Sequence, residues 1–213
     1  MLYKQIQFND NSFKLGNGKI NYYPNYLKNE KEIYESIVKT IPWDQGIYKM
    51  YGKEVFTPRL LWAMKDKDTD ISKEYNVTES SIWDENIGKL RIEVEDFLRK
   101  EYFSKKDNCI EGLDISGNFL RYAQMNYYRD GNDYIGWHCD KEMKKDDIIV
   151  SLSLGTGRKF QFMNIKDNEI KHEIILKPGS LLIFDTIVGK NEWKHRIPKE
   201  MNMEGYYFFS LKD

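Results

Sequence analysis

An α+β fold is what this sequence predicts: a double-stranded β-helix (jelly roll) with N-terminal helices packed on its sheet. Three observations predict it. From about residue 120 the apolar pattern has a period of two and falls into eight short runs: 122–128, 134–140, 147–154, 159–164, 170–176, 180–185, 193–197 and 206–212. Asp130-Gly131 and Pro178-Gly179 supply turns between them. Two earlier segments instead carry apolar residues at helical spacing. Serial short strands of this kind suit an antiparallel jelly roll, whose mouth is a common place for a metal or ligand.

Residues 1–27 are polar with scattered aromatics, and Phe8, Phe13, Ile20 and Tyr22 suggest short strands broken at Gly16 and Gly18, an N-terminal flap. Asn29 precedes Glu30, Glu32, Ile33, Ile37 and Ile41, an N-cap, early acids and an apolar stripe that predict a helix over 29–41, closed by Pro42 and Trp43. The run Pro58-Arg59-Leu60-Leu61-Trp62-Ala63-Met64 is followed by interleaved Asp and Lys up to Glu74, a solvated loop or, more sharply, a mobile substrate lid near 58–82. Ile87, Leu90, Ile92, Val94, Phe97 and Leu98 then predict a helix over 84–103 that packs against a sheet. The expected division is an N-terminal elaboration, 1–57, and a jelly-roll core, 58–213.

A chain of 213 residues is long enough to bury a real core. Its 15% aromatic content, fifteen Tyr included, supplies packing area and hydrogen-bonding tips for a cleft. No apolar run is long enough to span a bilayer and the N-terminus lacks a signal-peptide core, so the expectation is an intracellular monomer with no membrane partner, nuclear or cytoplasmic residence being left open. The net charge of −1 gives no overall basic field, though a local basic patch would be enough for nucleic acid. Cys109 and Cys139 form neither a disulfide framework nor a zinc-ligand spacing.

The chemistry concentrates between Asn126 and Glu142. His138 and Asp140 stand two residues apart, which on an extended strand puts both side chains on one face, roughly 6–7 Å apart. An imidazole and a carboxylate so placed can grip one metal ion; with a distant second His they make the two-His, one-carboxylate facial triad, which leaves coordination positions open on Fe(II). Three histidines make the search short. His172 shares a strand face with Ile170 and Ile174 and reads as a half-buried structural residue; His195 is the choice.

Taken together, Asn126-x-Tyr128, Asp-Gly, Ile-Gly-Trp-His-x-Asp, Ser-Leu-Ser-Leu-Gly at 151–155, Pro-Gly-Ser-Leu-Leu at 178–182 and His195 resemble the AlkB family of Fe(II)- and 2-oxoglutarate-dependent dioxygenases. That resemblance implies that His138, Asp140 and His195 hold iron and that Asn126 and Tyr128 hydrogen-bond 2-oxoglutarate. It further implies oxidative removal of alkyl groups from bases in DNA or RNA, with succinate, carbon dioxide and formaldehyde released. In the same family an acidic residue shortly after His-x-Asp helps read the base edge, the place of Glu142. Arg59, Trp62 and Arg158 are further candidates for contacting substrate, and Tyr75 and Trp137 for stacking a base taken out of its duplex.

The last strand departs from the family. AlkB proteins usually end on Arg-x-Asn-x-Thr-x-Arg, whose two arginines grip the carboxylates of 2-oxoglutarate; in the same register this chain has Tyr206 and Lys212. Lys neutralises a carboxylate without the bidentate fork of a guanidinium. Arg158 and Arg196 are possible substitutes, but Arg196 neighbours His195 on a strand and should face away from the metal. Two other readings follow: the same chemistry on a protein side chain, and a non-catalytic nucleic-acid-binding module.

Overall fold

The computed structural model describes residues 3–50, 52–69, 80–108, 110, 114–169, 171–201 and 206–212. The middle of the expected lid, with Tyr75, and Cys109 lie outside the described residues.

The N-terminal third comprises β1 (Lys4–Gln5), β2 (Ser12–Leu15), β3 (Gly18–Tyr23), α1 (Glu30–Thr40), a hairpin of β4 (Ile47–Met50) and β5 (Lys53–Phe56), β6 (Leu60–Lys65) and β7 (Ser80–Ile82). After α2 (Glu85–Phe97) come β8 (Tyr122–Tyr128), β9 (Ile135–His138), β10 (Ile148–Gly155), β11 (Arg158–Asn164), β12 (Lys171–Leu176), β13 (Ser180–Asp185), β14 (Trp193–Ile197) and β15 (Tyr206–Lys212). They form an eight-stranded sheet in the order β2-β3-β13-β10-β15-β8-β6-β7 and a five-stranded sheet in the order β1-β12-β11-β14-β9. This is the predicted jelly roll.

Strand alternation divides the apolar residues of the larger sheet between two cores. Val150, Leu152 and Leu154 of β10 and Leu181 and Ile183 of β13 face the helices, where Ile37, Leu90, Val94 and Leu98 cover them. Their neighbours Ile149, Leu182 and Phe184 face the smaller sheet and meet Phe160, Phe162, Ile174 and Leu176. One sheet is thus packed on both faces, which is why β10 and β13 are nearly buried throughout.

The helices follow the predicted spans. Asp84 caps α2 by accepting from Ile87 N at 2.7 Å. Asn29 stands at the cap position of α1 but makes no side-chain capping bond. The apolar stripe of α2 continues past Phe97 through a π-helical turn, Leu98–Tyr102, whose Leu98 and Tyr102 are buried. A buried carboxylate, Glu95, fastens α2 to the chain entering the sheet: its Oε1 accepts from Phe119 N at 2.9 Å and Leu120 N at 2.8 Å.

Two expectations are revised. The N-terminal flap is built into the body: β1 runs parallel to β12, and β2–β3 extend the larger sheet beside β13. The front of the expected lid is β6, an interior strand between β8 and β7. Leu61, Trp62, Ala63 and Met64 are all buried, which erases the alternation that marks a strand in sequence. At the predicted Pro178-Gly179 turn, Gly179 has φ +70°, and a Cβ there would lie 2.7 Å from the Leu27 carbonyl, so both the backbone and the space require glycine.

Candidate metal and co-substrate site

A cavity of about 480 Å³ opens between the sheets at the end where β8 leaves and β9 begins. One wall belongs to the smaller sheet. His138 closes β9 and His195 lies in the middle of β14; the two are direct cross-strand partners, so their side chains leave the same face, ring centroids 4.2 Å apart. Asp140 joins them by another route than the sequence suggests. β9 ends at His138, and Asp140 sits in the following turn, its N–H donating to Gly189 O at 2.9 Å. The turn swings its carboxylate back until Oδ2 is 3.3 Å from Nε2 of His195. One ligand atom from each of His138, Asp140 and His195 lies within 4.8 Å of the others.

Hydrogen bonding sets the ring of His138. Its Nδ1 lies 2.9 Å from the Gly136 carbonyl, which can only accept, so Nδ1 carries the proton and Nε2 keeps its lone pair for the cavity. Burial, helped by the charge of the neighbouring His195, pushes the His138 pKa down to about 3 and keeps the ring neutral. His195 is 4% exposed and stacked on Phe160 at 5.5 Å, and its Nδ1 is buried with no hydrogen-bond partner. Two imidazoles and a carboxylate converging on one point of the cavity fit a divalent metal of the Fe(II) type.

The opposite wall is the larger sheet. Asn126 and Tyr128 share a face of β8 and line the cavity, as do Gln124 on β8 and Ser210 on β15. Tyr128 is 1% exposed, and burial, partly offset by the charges of Arg59 and Arg158, pushes its phenol up to about 12, so it remains a donor at any working pH. Arg59, immediately before β6, donates from Nε to Asn126 Oδ1 at 2.6 Å. β15 pairs Tyr206 with Tyr128 and Lys212 with Tyr122, but the side chains of Tyr206 and Lys212 lie outside the described residues.

Residues 19–207 match the family model of the 2OG-Fe(II) oxygenase superfamily, a span that includes His138, Asp140 and His195 on one wall of the cavity and Asn126 and Tyr128 on the other. The chain belongs to this superfamily. Within it the chain is AlkB-like: it is 34% identical over 197 residues to alpha-ketoglutarate-dependent dioxygenase alkB homolog 3 of Mus musculus, covering 87% of this chain and 62% of that protein. It is 33% identical over 94 residues to DNA oxidative demethylase ALKBH2 of Bos taurus, 39% of this chain and 33% of that one. The chain thus spans between about a third and just under two thirds of the curated relatives it matches. Among solved structures, OsALKBH1 superposes with a TM-score of 0.57 at 16% identity, over 91% of this chain and 97% of that one. A Pseudomonas putida prolyl-4-hydroxylase superposes with 0.55 at 11%, over 91% of each chain, which extends the shared fold and nothing more.

Membership carries the cofactors Fe(II) and 2-oxoglutarate. The donor set of His138, Asp140 and His195 fits the metal, and Asn126, Tyr128 and Arg59 offer donors of the kind a 2-oxoacid needs.

The substrate candidates separate. Arg59 and Glu142 line the cavity. Trp62 and Arg158 do not, and both expectations are corrected. Trp62 is packed in the helix-side core, its Nε1 donating to Ser81 Oγ at 3.3 Å, because it lies on the face of β6 opposite Leu61. Arg158 is fully buried and committed to the chain: Nη1 donates to Asp130 O at 3.2 Å, and Nη2 to Asp133 O at 3.0 Å and Pro198 O at 2.8 Å. Arg196 faces away as expected, bonding Gln161 Oε1 at 2.7 Å and Tyr3 OH at 2.8 Å. Sequence reasoning passed over Gln124 and Tyr134, both cavity residues; Gln124 was within reach, two positions before Asn126 on one strand face.

Proposed function

We propose that this protein is an Fe(II)- and 2-oxoglutarate-dependent dioxygenase that oxidatively dealkylates N-alkylated bases in DNA or RNA. The observation that carries this reading is the convergence of His138, Asp140 and His195 on one wall of a cavity whose other wall presents Asn126 and Tyr128. His138, Asp140 and His195 would hold iron, leaving open positions toward the cavity. Iron with 2-oxoglutarate supplies the oxidant that hydroxylates an alkyl carbon. The remaining tasks fall to this chain. Phe160, Phe184 and Ile149 keep water from the inner side of the metal ligands, and Asn126 with the protonated Tyr128 orients a carboxylate by donated hydrogen bonds.

The mouth supports a nucleic-acid substrate. Tyr134 and Trp137 line it, and Lys199 Nζ lies 5.0 Å from the Tyr134 ring centroid. Aromatic faces with a basic side chain beside them are what an unpaired base and its phosphates need. Glu142, also on the cavity, can accept from the exocyclic amine of adenine or cytosine. A net charge of −1 is compatible with such local recognition.

The test is incubation with Fe(II), 2-oxoglutarate and a single-stranded oligonucleotide carrying one N1-methyladenine or N3-methylcytosine, followed by mass spectrometry. Loss of the methyl group with matching succinate and formaldehyde is expected. Succinate formed without any change in DNA or RNA oligonucleotides, but stimulated by a peptide, would replace this reading with protein hydroxylation.

A further inference from the structure

The last strand carries Tyr206 and Lys212 where the family has its two arginines, so a bidentate grip on a dicarboxylate co-substrate needs a guanidinium from elsewhere. Of the arginines weighed in the sequence, two are already occupied. Arg158 holds three backbone carbonyls outside the cavity lining, and Arg196 lies on the far side of β14. Among the described residues that line the cavity, Arg59 is the one Arg or Lys.

Its position is built rather than incidental. The backbone on either side is pinned: Thr57 Oγ1 donates to Arg59 O at 2.9 Å and Tyr134 N donates to Pro58 O at 2.9 Å. The side chain is oriented by its Nε bond to Asn126 Oδ1. That bond also orients the amide, since Oδ1 must face Arg59 and the amide NH₂ is left for the cavity. Neither Nη of Arg59 bonds or pairs with a described residue, so the fork retains donors for a ligand. Topology makes the exchange possible. β8, with Asn126 and Tyr128, runs between β15 and β6, so a guanidinium lost from β15 can be replaced at the start of β6 and still lie beside the same two residues.

We propose that Arg59, held by Asn126, is the guanidinium that binds a carboxylate of 2-oxoglutarate in this protein. The assignment rests on the dioxygenase reading above and moves Arg59 from substrate contact to co-substrate contact. A bidentate charge-assisted pair in a half-enclosed cavity is the strong form of such a contact, and Lys in its place gives only a point charge.

The test is anaerobic titration of 2-oxoglutarate into the Fe(II)-loaded protein, reading the visible charge-transfer band of the chelated oxoacid. Wild type, Arg59→Gln and Arg59→Lys are compared, each first checked by thermal melting and by Co(II) binding without oxoacid. The expected result is a Kd for 2-oxoglutarate at least tenfold weaker in Arg59→Gln and partly recovered in Arg59→Lys, with Co(II) binding unchanged. A wild-type Kd in both variants overturns the assignment, and if single-stranded oligonucleotide binding is then weakened, Arg59 contacts phosphate instead. A wild-type protein that binds Co(II) but forms no band would remove the dioxygenase reading itself, and the role of Arg59 with it. Should Arg59→Gln fail to fold, Arg59→Lys alone decides: a several-fold weaker Kd upholds the assignment and an unchanged one rejects it.

Discussion

Replacing Arg158 by Met separates a structural from a substrate role for the most deeply buried cation among the described residues. The guanidinium is 0% exposed and ties together three stretches: the turn at Asp130, the entry to β9 at Asp133, and the chain after β14 at Pro198. Its Nε also lies 3.3 Å from Glu200 Oε2, an ion-pair contact without hydrogen-bond geometry, and its charge sits 5.5 Å from the Tyr128 ring centroid. Methionine fills much of the volume but leaves three carbonyls without their donor and Glu200 without its charge partner. Breaking a buried pair of this kind costs about 3–5 kcal/mol. Against a total stability of roughly 5–15 kcal/mol, that is a large share. For a domain of this size it corresponds to a fall of about 6–20 °C in Tm. Differential scanning calorimetry measures the drop, and the charge-transfer titration, run well below the melt, measures co-substrate binding. The expected outcome is a large Tm loss with the Kd for 2-oxoglutarate within a few-fold of wild type, and Arg158→Lys falling between. A Tm within about 2 °C of wild type, accompanied by lost oligonucleotide binding, would refute the structural role and restore Arg158 as a substrate residue.

Three further predictions follow from the same geometry. His138→Ala or Asp140→Ala should abolish the metal-dependent rise in Tm, which in wild type with Co(II) at a hundred times its Kd amounts to about 2.7 kcal/mol of stabilisation; a variant that keeps the rise would remove that residue from the metal site. Trp137→Ala should weaken single-stranded oligonucleotide binding by about 1–3 kcal/mol in fluorescence anisotropy, whereas Trp62→Phe, which loses only the bond to Ser81, should leave it unchanged; the reverse order would put the stacking residue on β6. Glu95→Ala strips two buried N–H groups of their acceptor and leaves Arg91 beside an empty site, so denaturant unfolding should show a loss of about 3–5 kcal/mol with unaltered Kd for Co(II) and 2-oxoglutarate.

Where one face of a strand is buried differently from the other, or where turns fix its ends, the sequence predicts it well. β8, β13 and β14 coincide with the expected runs residue for residue, and the inward face of β14 brings His195 opposite His138. β6 was hidden because a strand buried on both faces has no period to read. Asp140 was placed near the metal for a reason that does not hold: two-residue spacing works only on an extended strand, and here a turn tied to Gly189 performs the same convergence. Arg158 was legible as inward-facing from its alternation with Phe160 and Phe162, but its partners are carbonyls from Asp130, Asp133 and Pro198, and no side-chain pattern announces a backbone acceptor. The parallel pairing of β1 with β12 joins residues far apart along the chain and leaves no local trace.

The division of the site between two sheets explains which parts of the core bear on chemistry. The metal ligands belong to the smaller sheet and the turn after it, and Asn126, Tyr128 and Arg59 to the larger. Their separation is therefore fixed by whatever lies between the sheets. Phe160 stacks on His195 at 5.5 Å and lies 6.3 Å from Phe184, which itself contacts His195 at 5.6 Å. These rings transmit the sheet spacing directly to a metal ligand, because close-packed interiors pass strain on rather than absorb it. The helix-side core of Ile37, Leu90, Val94, Leu152 and Ile183 covers the other face of the larger sheet and includes none of the ligands. Loss of a side chain there lowers stability and leaves the cavity as it is, whereas the same loss at Phe160 lets the two walls shift against each other. Two cores of similar composition thus carry different duties, and the difference lies in which face of one sheet each of them covers.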